Sequence, residues 1–296
     1  MKNALLLLQL CLLSFVIFPG CQATQQTNTV HHFTYNDIEM SLLQDITDNH
    51  LDMPLDRACL IASGVHNNKK IQSYQKKIDL LISRIAKETN INTIDNPIEK
   101  AQIIFGWLKE NASEGTYNDC YDFKDTLNTK VGNCLSYAIR FTILCRHYSI
   151  DIKNILIPGH IYNSVSDTTT HEQLFEHTHS DGIVKKKDRY HPKKKIMKDI
   201  ELVGEIFLYK ARNYNINADY DTSVKFCEQA MMCNPDDNRP MILLLDNYIT
   251  KKEYEVAFLH LDKFLEQHPT ERNFFNKTYM LLKNLCDKKD RKQLVY

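Results

Sequence analysis

Three side chains in this 296-residue sequence, Cys134, His160 and Glu176, are of the types that together perform nucleophilic acyl chemistry. Cys134 follows a small turn, Gly132-Asn133, and opens an apolar run, so its thiol is expected at the first position of a helix. Unpaired backbone N–H groups and the helix dipole favour an anion there and acidify a thiol. An adjacent imidazole completes a thiolate–imidazolium pair, and His160 is expected on a strand that could supply one. The other ring nitrogen of such a histidine needs an orienting partner. Glu176, in Phe175-Glu176-His177-Thr178, offers a carboxylate on an adjacent strand or strand end. The backbone N–H of Cys134 could also point at a developing oxyanion on a substrate carbonyl.

A second cluster, His171, His177 and His179, contains a His-x-His pair that zinc could use, with His171 or Asp181 completing the set. No Cys-x-x-Cys or His-Glu-x-x-His frame accompanies it. These are therefore read as loop histidines, and no metal and no cofactor is expected. Cys59, Cys145 and Cys227 lie in apolar helical patterns, where a buried free thiol acts as a small hydrophobe.

The elements that must position the candidate residues follow from periodicity. Helical patterns run through Ile38–Ile46, Leu55–Val65 and Ile71–Ile91, and Pro97 opens another with Ala101, Ile104, Phe105 and Leu108 as its buried stripe. Residues 115–133 are polar and irregular. The helix after Cys134 is apolar all round (Leu135, Ala138, Ile139, Phe141, Leu144, Cys145) and must be largely buried. Ile152–Pro158 and Ile161–Val165 read as strands bracketing His160, and Leu174-Phe175 as a shorter one before a turn at 180–182. The basic run 185–198 is read as a solvated loop.

The last hundred residues repeat. Tyr220 and Tyr254 are 34 residues apart, as are Pro235 and Pro269, with similar residues around each pair. An aromatic opening a helix and a proline closing it at this period resembles the tetratricopeptide repeat. About two and a half such units are expected, and each buries its face only against a neighbour.

At the other end, Lys2 precedes an apolar run from Leu5 to Phe18, too short to span a bilayer and suited to a signal segment. Gly20-Cys21, followed by a polar stretch, resembles a bacterial lipoprotein cleavage site, which implies lipidation of Cys21. Gln22 after it leans toward outer-membrane sorting where two membranes exist. With 37 basic and 37 acidic residues, no bulk charge points to nucleic acid. Hydrophobic residues at 43% supply real cores, and only eight glycines and eight prolines favour helices over a turn-rich sandwich.

Gly-Asn-Cys-Leu-Ser at 132–136, Pro-Gly-His-Ile-Tyr-Asn at 158–163 and Glu-His-Thr at 176–178 resemble the three motifs of the transglutaminase-like superfamily. The helical region before them and the repeats after them resemble its bacterial branch that joins these parts. The resemblance implies a papain-like core, with Cys134 as nucleophile, His160 as general base and Glu176 as third member. The third motif commonly carries Asp where Glu176 stands, and many relatives of this branch lack the cysteine. The resemblance implies an oxyanion side chain upstream of the cysteine, where Asn118 or Asn133 could serve. The expected fold is therefore α+β: a transglutaminase-like core with a helical N-terminal region, then an all-α tetratricopeptide-type array. Expected boundaries are a signal at 1–20, a tether at 21–36, the core domain at 37–183, a basic linker at 184–200 and repeats at 201–296. The expected activity is thiol-dependent hydrolysis of a peptide or amide bond at the cell envelope. The expected partners are a peptide or protein substrate, a protein held by the repeats, and a membrane through the lipid. The alternative is an inactive scaffold that binds a protein partner.

Overall fold

Asparagines start a series of the helices: Asn36, Asn67, Asn96 and Asn133 each accept N–H bonds of the first turn with their side chains. The computed structural model describes residues 33–112, 122–129, 131–167, 171–178, 183–184 and 194–293. Tyr35–Tyr296 form one compact unit. The expected signal segment with Cys21, and also Asn118, Cys120, His179, Asp181 and most of the basic run, lie outside the described residues. No described helix is long and apolar enough to cross a membrane.

The architecture is α+β. An N-terminal helical region comprises α1 (Asp37–Asp45), α2 (Leu55–Ala62), α3 (Asn68–Glu88) and α4 (Pro97–Asn111). A short helix, α5 (Phe123–Asn128), precedes α6 (Cys134–His147), which every apolar face buries as the sequence requires. Then follows a five-stranded antiparallel sheet of β1 (Ile152–Ile157), β2 (His160–Ser166), β3 (Glu172–Phe175), β4 (Ile183–Val184) and β5 (Lys195–Met197), in the order β4-β3-β2-β1-β5.

The turn between β1 and β2 is Pro158-Gly159, with Gly159 at φ 76°, a left-handed conformation that a side chain resists. Its tightness fixes the register, pairing Ile157 with His160 and Asn154 with Asn163. The basic run does not stay a loop: its last part pairs with β1 as an edge strand, Leu156 opposite Lys195 and Asn154 opposite Met197. Charged lysines suit that edge, because they oppose further strand addition. The expected linker at 184–200 thus contributes to the sheet at β5.

The main core lies between α4, α6 and the sheet. Phe105, Phe141 and Phe175 meet there with ring centroids 5.0–5.8 Å apart, surrounded by Ile104, Leu108, Leu144, Ile152 and Val165. The C-terminal part is a helical array: α7 (Asp199–Ile216), α8 (Tyr220–Cys233), α9 (Asn238–Thr250), α10 (Tyr254–Gln267) and α11 (Arg272–Gln293). Tyr220 and Tyr254 open α8 and α10, and Ala218 and Lys252, two residues before each, adopt φ 60° and 62°.

Candidate functional site

The entry into α6 is built by close packing. A Cβ on Gly132 would collide with Ser136 Oγ and lie 2.7 Å from Thr126 Cγ2, so only glycine lets the chain approach the helix here. Gly132 N–H donates to the Tyr137 hydroxyl at 2.9 Å. Asn133 and Ser136 form a reciprocal cap: Ser136 N–H donates to Asn133 Oδ1 at 3.0 Å, and Asn133 N–H to Ser136 Oγ at 2.9 Å. Cys134 is thereby held as the first residue of α6, a free thiol only 6% exposed. The cap occupies the N–H groups of Asn133 and Ser136, and the amide oxygen of Asn133 is committed to it.

His160 opens β2, and Glu176 directly follows β3. Continuing the β2–β3 register would set residue 176 opposite Tyr162, which makes His160 its diagonal neighbour. His160 Nε2 and Glu176 Oε2 lie 2.5 Å apart, with Glu176 only 2% exposed. Thr178 fixes the other carboxylate oxygen, donating its N–H at 3.1 Å and its hydroxyl at 2.9 Å to Oε1. Cys134 is near enough to the same imidazole to act on its titration.

The electrostatics follow from this geometry. Burial alone would lower the His160 pKa, but hydrogen bonds to Cys134 and Glu176, with the charges of both, raise it to about 9. Burial alone would raise that of Glu176, but the hydrogen bond and charge of His160 and the two bonds from Thr178 hold it at about 2. The imidazole is therefore cationic at neutral pH. Cys59 and Cys227 contrast with this setting: burial pushes the Cys59 thiol well up and that of Cys227 to about 12, so both are inert small hydrophobes.

His177 lies in the bend after β3, as a loop histidine would, but it is not solvated. It is fully buried, packed on the rings of Phe105 and Phe141 at 5.4 and 5.2 Å, and its Nε2 lies 2.6 Å from Asn163 Oδ1. Asn163 Nδ2 donates to Asn154 Oδ1 at 2.8 Å and to Thr142 Oγ1 at 3.1 Å. Thr142 Oγ1 lies 2.8 Å from Asn154 Oδ1. A buried polar network thus joins the Cys134 helix, the hairpin that carries His160 and the neighbour of Glu176. His171 is exposed just before the start of β3 and does not join it. The network leaves no periodic trace, because its polar residues stand singly on α6, β1, β2 and the bend after β3. The signal was Asn154 and Asn163 falling on the buried face of paired strands, directly opposite each other.

Residues 84–171 match the family model described as the Transglutaminase-like superfamily, a span holding Cys134 and His160, with Glu176 just beyond its end. No curated protein and no solved structure matches the chain.

Proposed function

We propose that the protein is a thiol-dependent acyl-transfer enzyme that hydrolyses a peptide or amide bond through Cys134, His160 and Glu176. The observation that carries this reading is the imidazole of His160 held by Glu176 at 2.5 Å, with the thiol of Cys134, at a helix start, among the groups that act on its titration. Loss of the Cys134 proton leaves a thiolate beside the imidazolium of His160, with Glu176 stabilising the cation and orienting the ring. The sulfur attacks the carbonyl carbon, and the Cys134 N–H receives the developing oxyanion. His160 then gives its proton to the leaving amine as the C–N bond breaks. Water, deprotonated by His160, cleaves the resulting thioester and restores the thiol. An amine in place of water would give acyl transfer by the same route.

Within this reading the core is papain-like and the C-terminal array is of tetratricopeptide type, suited to holding a protein partner. The chain is exported and tethered through a lipid on Cys21, at the outer membrane where two membranes exist. The near-complete burial of Cys134 favours a second reading, an inactive scaffold.

Alkylation separates the two. The form beginning after Cys21 is treated with iodoacetamide across pH, beside Cys134→Ser and His160→Ala. An enzyme gives Cys134 labelling with an apparent pKa well below the roughly 8.5 of a free thiol, raised by His160→Ala. A Cys134 that resists alkylation throughout means a scaffold.

A further inference from the structure

A second polar site lies where the N-terminal helices, the start of α5 and the first helices of the array meet. It is a pocket of about 460 Å³, and Lys124, Lys210 and Lys225 all face into it, with Glu39 and Asp122 as its carboxylates. It shares no residue with the Cys134 site.

Lys124 and Lys225 are accounted for. Lys124 Nζ donates to Asp122 Oδ2 at 2.8 Å and to Ser63 O at 2.6 Å. Lys225 Nζ lies 3.4 Å from Glu39 Oε1 and 4.4 Å from the centre of the Tyr35 ring. Lys210 is different. Its ammonium donates to Ala62 O at 3.1 Å and sits 4.7 Å from the Phe226 ring centre, with no carboxylate at ion-pair distance among the described residues. An ammonium has three donors, and a largely buried one without a counter-charge is costly.

The space in front of it is open. A Cβ on Gly64 would stand 3.4 Å from Lys210 Nζ and 3.9 Å from Lys124 Nζ, so two ammonium groups converge over one bare Cα. Three lysines against two carboxylates leave one positive charge uncompensated. Burial lowers the Lys210 pKa, and Lys124 and Lys225 push it the same way against Asp122 and Glu39. His66 also lines the pocket, 3.5 Å from Glu39, and its pKa is likewise lowered, first by burial, which favours the neutral imidazole and adds no further positive charge.

We propose that this pocket binds the oxyanion group, carboxylate or phosphate, of a small ligand, with Lys210 as its principal charge partner and Lys124 as the second donor. The ligand would bridge the C-terminal end of α2, α5 and α7, which ties the N-terminal helices to the array.

The test uses the full-length protein, with inorganic phosphate and malonate as probes against chloride at equal ionic strength. A saturable rise in melting temperature with either probe, weakened at least tenfold in apparent affinity by Lys210→Met, supports the site. Which probe acts identifies the class of oxyanion. In the unmodified protein, reductive methylation of Lys210, followed by peptide mass analysis, should be slowed by the same probe; this arm needs no variant to fold. No saturable shift and no protection of Lys210 would overturn the proposal, as would a shift that Lys210→Met leaves unchanged. Alkylation of Cys134 is read separately, so an inactive Cys134 site does not bear on the result.

Discussion

His160 and Glu176 move each other's titration in opposite directions, and this gives the pair a defined pH signature. His160 is raised from 6.5 to about 9, so its stabilising contribution is complete below pH 6.5 and is lost as pH rises through 9. Glu176 is lowered from 4.5 to about 2, so its contribution is complete above pH 4.5 and is lost as pH falls through 2. Between those limits both partners are charged in the folded chain. Glu176→Gln is expected to cost about 1.5–3 kcal/mol there, the worth of a hydrogen bond to a charged group. Urea denaturation at a series of pH values checks this: the deficit should be largest near pH 5–6.5 and shrink toward pH 10 and toward pH 2. A deficit constant across pH would mean that Glu176 acts only by filling space. At this scale residue type and order were enough to single out His160 and Glu176, which the fold brings to 2.5 Å of each other, and to place Cys134 at the start of α6. The bonds of Thr178 to the carboxylate were not legible, because a local side-chain turn leaves no periodic trace.

At the scale of elements, the position of Cys134 relative to His160 depends on how α6 sits on the β1–β2 hairpin. Apolar packing by Phe141, Leu144 and Val165 holds the two layers together without fixing their relative slide. The network of Thr142, Asn154, Asn163 and His177 can fix it, because each hydrogen bond tolerates only a narrow geometry. Asn163 is the shared member, fully buried and bonded to the other three. Asn163→Leu keeps the volume but removes one hydrogen-bond partner from each of Thr142, Asn154 and His177, at about 1–3 kcal/mol for any group left unsatisfied. A loss of at least about 2 kcal/mol is expected in urea denaturation, together with slower alkylation of Cys134 at neutral pH. A variant as stable as the parent, with Cys134 unchanged, would assign the network no positioning role. The helices and the strands around His160 were readable from periods of 3.6 and 2, and the turn from Pro158-Gly159. The edge strand β5 was not. Its three residues sit in a run of lysines, and only the exposed edge of β1 makes them a strand.

For the whole molecule, the decisive element is α7, where a boundary between core and repeats was expected. Its buried residues, Ile200, Leu202, Val203, Ile206, Phe207 and Leu208, cover several of its faces, so it belongs to both sides rather than capping one. Arg146 at the end of α6 pairs with Asp199 at its start, Nη2 to Oδ1 at 2.7 Å, and Lys210 near its end bonds Ala62 of α2. Inside the array, Arg239 of α9 pairs with the buried Glu205 of α7. The helices farther along are more exposed: Leu259, Phe274, Met280 and Leu281 all lie open on α10 and α11. Stability should therefore fall off along the array instead of breaking at residue 200. A chain ending at residue 252, without α10 and α11, is expected to keep a cooperative thermal transition and the full-length pH profile of Cys134 alkylation. A chain ending at residue 198 uncovers the α2 face that α7 packs against and is expected to lose cooperative unfolding altogether. Circular dichroism melts of the two truncations decide the point. If the shorter chain melts cooperatively, the core folds without α7, and the array is an independent domain joined at that helix.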